Sequence, residues 1–118
     1  MTPSGFARIY ERAFPESRPW SAAEFEDILS SKHSFYVGDS RGFAVGRVIA
    51  GESELITLAV EPKFQGQGFG RRLLKLYQAE ALKLGAESYF LEVASDNKTA
   101  INLYISDGYS VSSSRPNY

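Results

Sequence analysis

The sequence predicts a mixed α/β fold: a central, twisted, mostly antiparallel sheet with helices on both faces. Three observations carry that expectation. The chain opens with two segments of helical periodicity, continues with three strand-like segments joined by tight turns, and ends in strand–helix–strand crossovers. Hairpins make antiparallel neighbours and crossovers make parallel ones, so both kinds of pairing fall in one sheet. At 118 residues, 43% hydrophobic and 14% aromatic, the chain has the size and apolar content of a single domain over residues 1–118, with no internal repeat, linker or low-complexity run. Finally, the stretch Leu55–Leu84 joins an apolar strand, a glycine-rich turn and an amphipathic helix, and the remaining segments are arranged around it.

Taken in order, Thr2 is placed to cap a first helix and Pro3 suits its opening turn. Phe6, Ile9, Tyr10, Ala13 and Phe14 repeat at helical spacing until Pro15 and Pro19 break the pattern. Phe14–Ser21 is a turn-rich connector. Ser21 and Glu24 make a capping box for a second helix, Ala22–Leu29, with Phe25, Ile28 and Leu29 inward. Ser34–Gly38 and Gly42–Ala50 read as strands joined by a tight turn at Asp39–Arg41, and Gly51–Ser53 leads into a third strand, Glu54–Val60. The long helix begins near Gly68 and stops at Gly85, a residue suited to the left-handed position after a helix. Ser88–Ala94 is a further strand, Ser95–Asn97 caps a helix running to about Ser106, Gly108 stops it, and Tyr109–Ser113 is a short last strand.

Composition excludes several functions. A net charge of −1 leaves no electrostatic footprint for nucleic acid. The absence of cysteine removes disulfides and thiolate metal sites and suits a reducing cytoplasm. The single histidine, His33, is too few for a histidine metal cluster or a serine–histidine triad, so no metal is expected. No apolar run approaches the ~20 residues that cross a bilayer, and the N-terminus lacks the basic-then-apolar layout of a secretory signal.

The turn reads Gln65-Gly66-Gln67-Gly68-Phe69-Gly70-Arg71. Glycine admits positive φ and lets backbone approach a ligand closely. The first amides of a helix lack intrahelical partners and, with the helix dipole, form a pocket for an anion, most naturally phosphate. Arg71 and Arg72 stand in the first turn, where cations oppose the dipole unless an anion accompanies them. No Gly-Lys-Ser/Thr closes the loop, so it is not a Walker loop, and the glycine intervals do not match the dinucleotide fingerprint. The competing reading is a plain strand–turn–helix corner.

Two side chains stand out for chemistry. Glu92 interrupts the apolar run Tyr89–Ala94 on the same face as Phe90 and Ala94. A carboxylate there is costly unless paired, and desolvation would raise its pKa toward that of a usable general base; the alternative is a charge at an exposed edge or an ion-pair partner. Tyr104 falls with Ala100, Ile101 and Ile105 on the inward side of its helix. A phenol of pKa ~10 is a competent acid toward a departing thiolate of pKa roughly 8.5, and equally an ordinary core tyrosine. Asn97 reads first as a helix cap. Phe14, Trp20 and Tyr36 are core aromatics or walls of a substrate groove, and Glu52 and Glu54 face solvent near the hairpin turn or meet a cationic amine there.

The pattern Gln65-x-x-Gly68-x-Gly70 after Val60-Glu61-Pro62 resembles the acetyl-CoA pyrophosphate loop of the GNAT N-acetyltransferases, and more of the chain shares the likeness. Ala13-Phe14-Pro15, Pro19-Trp20-Ser21, Leu55–Pro62, Gln65–Leu74, Phe90–Val93, Asn97, Leu103-Tyr104 and Gly108-Tyr109 are similar to the RimI-type protein N-terminal (ribosomal-protein alanine) acetyltransferases. The resemblance implies acetyl-CoA as donor and a protein or peptide N-terminus as acceptor. It implies Glu92 as general base through water and Tyr104 as general acid on the CoA sulfur. It further implies that backbone groups of Leu58 and Val60 pair with the pantetheine arm, that Gln65 and the amides of Gln67, Gly68, Phe69, Gly70 and Arg71 hold the pyrophosphate, and that Asn97 and Tyr104 touch the cofactor.

An α-amine of pKa about 7.7–8.0 loses its proton far more easily than a lysine at about 10.4, which suits a single carboxylate base. Against the family pattern, the first strand and the last strand are missing. Either the sequence is a piece of a longer one or another chain completes the sheet, and an open edge invites a homodimer. A GNAT acting on a small-molecule amine and a non-catalytic CoA-binding module are the rival readings.

Overall fold

The structure is a computed structural model, and it describes residues 1–16, 18–93 and 113–114. In order these form helices α1 (Pro3–Ala13) and α2 (Ala22–Leu29), strands β1 (Ser34–Asp39), β2 (Gly42–Ile49) and β3 (Glu52–Val60), a 3-10 turn at Pro62–Phe64, helix α3 (Phe69–Lys83), and strands β4 (Ser88–Val93) and β5 (Ser113–Ser114). The strands lie in the order β1-β2-β3-β4-β5. β1–β2 and β2–β3 are antiparallel; β3–β4, bridged by α3, and β4–β5 are parallel. The sheet is therefore mixed, as expected. Of the expected last strand, Tyr109–Ser113, only Ser113 is described, and it lies in β5; the rest of that strand and the expected helix from Asn97 lie outside the described residues.

Local chemistry explains the boundaries. Thr2 accepts the Gly5 N–H at 3.1 Å with Pro3 opening α1. Ser21 and Glu24 form the capping box of α2 from both sides, at 3.1 Å each. Helix α3 ends in a Schellman pair: Gly85 at φ +97° donates to the Leu82 carbonyl and Ala86 to the Ala81 carbonyl. The β2–β3 turn is tighter than the sequence predicts. Ile49 pairs with Glu52, and Ala50 (φ +52°) with Gly51 (φ +81°) makes the whole turn, so β3 begins at Glu52. Both central residues at positive φ match the twist of a hairpin, and an alanine there gives no sequence signal.

Two cores lie on opposite faces of the sheet. On one, Phe6, Ile9, Tyr10, Trp20 and Phe25 pack on Phe43, Val45, Ile56 and Ala59. The rings interlock: Phe6 meets Phe43 edge-on at 4.7 Å and Tyr10 stacks on Trp20 at 5.0 Å. Burial pushes the Tyr10 phenol up to about 12, so it stays protonated through the neutral range. On the other face, Phe69, Leu73, Leu74, Tyr77 and Ala81 of α3 cover Ala44, Val48, Leu55, Leu58 and Val60. Each large side chain buried this way contributes about 1.5–3 kcal/mol.

The register of β3 breaks in its middle. Val45 faces Thr57 and Gly46 faces Leu55, so Ile56 is an extra residue, a β-bulge. Tyr77 of α3 lies directly over this point, with its hydroxyl 2.6 Å from the buried Ser53 hydroxyl and its ring stacked on Phe35 at 5.0 Å. A Cβ on Gly46 would collide with the Tyr77 phenol, which is why a glycine is required there.

Tyr77→Phe strands the Ser53 hydroxyl in the core and should cost about 1–3 kcal/mol in urea unfolding, with Tyr77→Phe/Ser53→Ala recovering part of the loss; equal stability of wild type and the single variant would contradict the role given to this bond. The fork of Arg18 on Glu24, helped by Ser21, holds the Glu24 carboxyl at about 2. A depressed carboxylate stabilises the fold above its ordinary pKa of about 4.3, and that contribution fades as pH falls toward 2. Glu24→Gln should therefore flatten the pH dependence of stability across that window, measured by denaturant midpoints at stepped pH.

Candidate active site

The β3–β4 ladder runs from Glu52↔Ser88 to Leu55↔Leu91 and stops beside the bulge. Beyond it β3 continues as Ile56–Val60 alongside β2, while Glu92 and Val93 pair with Ser113 and Ser114 of β5. The two central strands therefore part in a V whose vertex is at Leu55–Ile56.

The phase of the β2–β3 ladder fixes which backbone groups face the gap. The Glu61 N–H donates to the Arg41 carbonyl at 2.8 Å. Opposite residues in an antiparallel pair alternate between bonded and non-bonded, so Ala59 and Thr57 turn their backbone groups toward β2 and Leu58 and Val60 turn theirs away. The Val60 carbonyl accepts the Gln65 side-chain amide at 2.9 Å on that outer side. The side chains of Leu58 and Val60 are buried under α3, leaving backbone as what the gap presents.

The strand then delivers the glycine turn. Gln67 donates its side-chain amide to the Lys63 carbonyl at 3.2 Å, tying the turn back to the 3-10 segment. Gly66 and Gly68 sit at φ +76° and +79°, and a Cβ on either would meet nothing within 4 Å, so the turn presents open backbone. Gly68 is the N-cap of α3, without a side-chain cap. The first intrahelical bond runs from the Arg72 N–H to the Gly68 carbonyl at 3.1 Å, so the amides of Phe69, Gly70 and Arg71 stand ahead of the ladder. No acidic residue occupies this first turn, and Arg71 and Arg72 are exposed on it. Phe69 is the anchor: its ring is buried against Gly42, with the Arg41 guanidinium 4.7 Å from its centre. An extended, amide-bearing chain ending in an anion has the chemistry to match such a strand and turn.

Of the residues singled out from sequence, Leu58, Val60, Gln65, Gln67, Gly68, Phe69, Gly70 and Arg71 fall together along this strand and turn. Glu92 lies on β4 one position past the vertex, where the strand has left β3. Asn97 and Tyr104 lie outside the described residues. Among the groove aromatics, Trp20 is buried, Phe14 half-buried and Tyr36 exposed. Glu54, expected at solvent, is half-buried and holds Arg47 at 2.6 Å. Missed in the sequence was the fork of Arg12 on Glu61, at 2.8 and 2.5 Å, which keeps the Glu61 carboxyl below the ordinary range. Nothing in a chain read one residue at a time links positions so far apart.

Residues 4–109 match the acetyltransferase (GNAT) family. The chain belongs to this family. Within the GNAT family it is 36% identical over 104 residues to the [ribosomal protein bS18]-alanine N-acetyltransferase of Escherichia coli K12, covering 85% of this chain and 70% of that one. It is 37% identical over 122 residues to an uncharacterised protein of Mycobacterium leprae, covering 95% of this chain but only 33% of that longer protein. The crystal structure of the ribosomal-protein-S18-alanine N-acetyltransferase from Escherichia coli superposes with a TM-score of 0.78 at 31% identity, covering 92% of this chain and 71% of that one. The mixed sheet with helices on both faces is the GNAT fold.

Gly68→Ala adds a Cβ that clashes with nothing, so its cost is the left-handed backbone alone. Chemical denaturation should show about 1–2 kcal/mol of lost stability, and equal stability of wild type and variant would contradict the left-handed cap.

Proposed function

We propose that this GNAT protein transfers the acetyl group of acetyl-CoA to the N-terminal α-amine of a protein, of the ribosomal-protein alanine type. The observation that carries the reading is the parted β3–β4 pair leading into the glycine turn of α3. Pantetheine is an extended chain of amides, and it adds like a strand to the outward backbone of Leu58 and Val60. The pyrophosphate then falls on Gln65 and on the amides of Gln67, Gly68, Phe69, Gly70 and Arg71, where the helix dipole and two arginines favour negative charge. The identity to the bS18-alanine N-acetyltransferase supports the choice of acceptor.

The chemistry follows from placing the amine beside the thioester. Glu92, through water, takes a proton from the ammonium form. The neutral nitrogen attacks the acetyl carbonyl carbon, the N–C bond forms, the now cationic nitrogen gives its second proton to water, and the C–S bond breaks. Tyr104 supplies a proton to the departing sulfur, its pKa of ~10 against roughly 8.5 making that transfer workable. Asn97 and Tyr104 complete the cofactor contacts. No metal enters this reaction.

Glu92→Gln should lower kcat by about 10²–10⁴-fold, the usual worth of a general base, while leaving the affinity for CoA in calorimetry nearly unchanged. A peptide with a free N-terminal alanine and labelled acetyl-CoA reads the activity. Wild-type turnover by Glu92→Gln removes that residue's role, and acetylation of small amines in preference to the peptide removes the acceptor assignment.

A further inference from the structure

The two faces of the sheet are covered unequally. On one, α3 spans the strands, burying Leu58 and Val60 beside the glycine turn and Val48 and Leu55 toward the β2–β3 turn. On the other, α1 and α2 stand on Phe43, Val45, Ile56 and Ala59, all in the half nearer Val60. Val48, Leu55 and Tyr89 belong to the α3 side, so alternation gives Arg47, Glu54 and Phe90 to the face of α1 and α2. The three lie abreast: Arg47 pairs with Glu54 across β2–β3, and Glu54 with Phe90 across β3–β4. This row is open, with Phe90 41% exposed.

The ion pair in the row leaves half of its carboxylate unused. Arg47 donates from both Nε and Nη2, at 3.1 and 2.6 Å, to the same oxygen, Oε1 of Glu54. Oε2 accepts from no described group, although the Glu54 side chain is only 29% exposed. The forks of Arg12 on Glu61 and Arg18 on Glu24, by contrast, engage both carboxylate oxygens. Arg47 thus orients Glu54 without saturating it, and an open aromatic ring stands on the neighbouring strand. An ammonium or guanidinium is the group that satisfies a carboxylate oxygen and an aromatic ring together.

We propose that Glu54 selects acceptors whose second residue is lysine or arginine. The inference rests on the acetyltransferase reading above, in which the reacting nitrogen lies by Glu92, two residues beyond Phe90 on β4. Two residues along a strand and one strand across, at spacings of about 3.3 and 4.8 Å, set Glu54 roughly 8 Å from that position. The next Cα of an acceptor lies about 3.8 Å on, and a lysine or arginine side chain spans the rest, its alkyl stem along Phe90. The α-amine itself is the wrong occupant, because a carboxylate within about 4–6 Å holds an ammonium in its charged form and opposes attack. The cation that Oε2 suits is therefore one residue removed from the chemistry.

Two peptides identical except at the second residue, one beginning Ala-Lys and the other Ala-norleucine, read the selection in the wild-type protein with acetyl-CoA. The lysine peptide should be favoured about fivefold in kcat/KM, the worth of a half-exposed ion pair with a ring contact. The difference should sit in KM, since the group that makes it does not react. Glu54→Gln should erase the preference, with CoA binding in calorimetry showing the fold intact. Glu54→Lys should favour a peptide beginning Ala-Glu over the norleucine peptide. Glu52→Gln, which removes an exposed carboxylate two residues earlier on the same strand, should keep the wild-type preference. Equal kcat/KM for the two peptides in the wild type overturns the inference with no variant needed. A preference that survives Glu54→Gln, or that falls as far in Glu52→Gln, overturns it as well. A wild type that binds CoA but acetylates neither peptide overturns the acetyltransferase reading instead.

Discussion

One surplus residue governs this structure. Between the matched pairs Val45↔Thr57 and Gly46↔Leu55, strand β3 carries Ile56 with nothing opposite it. A bulge bends its strand and increases the local twist, and here the β3–β4 ladder ends at the same level. The parting of the two strands, the outward turn of the Leu58 and Val60 backbone, and the delivery of the glycine turn beyond Val60 all descend from that single insertion. Its position is held from above by Tyr77, whose hydroxyl rests on Ser53 while its ring rests on Phe35. A slip of one residue would exchange the two faces of β3 and put Leu58 and Val60 in the wrong core.

The glycine turn depends on a different balance. Its backbone is open around Gly66 and Gly68, yet the helix it leads into is firmly seated. Phe69 reconciles the two by burying its ring as the first residue of α3, between Gly42 and the Arg41 guanidinium, so the turn sits on an anchored base. Arg41 is itself oriented by Asp39, which accepts from its side chain at 2.6 Å and from its backbone at 2.9 Å. The hairpin turn between β1 and β2 thereby buttresses the helix terminus from across the sheet.

The elements legible in the sequence were those with local causes. The Ser21–Glu24 box, Pro3 after Thr2, and Gly85 after an amphipathic run each encode their boundary within a few residues, and each boundary lies where expected. The glycine turn was legible for the same reason. The bulge was not, because Ile56 looks like any other residue of an apolar strand and becomes extra only when β2 is laid beside it. The two-residue turn at Ala50-Gly51 escaped because alanine seldom takes positive φ. The Arg12–Glu61 and Ser53–Tyr77 contacts join residues distant in sequence, so no window of periodicity contains them.

The contact between Tyr77 and the bare backbone of Gly46 also bears on how such a chain changes over time. No methyl group is admitted at 46 while a phenol fills that space, and a shorter side chain at 77 would still leave the Glu54 backbone carbonyl 2.6 Å from where a Cβ would sit. Lineages descended from a common ancestor would then keep glycine at 46 whatever stands at 77, while position 77 drifts under the separate demand of the Ser53 hydroxyl beneath it.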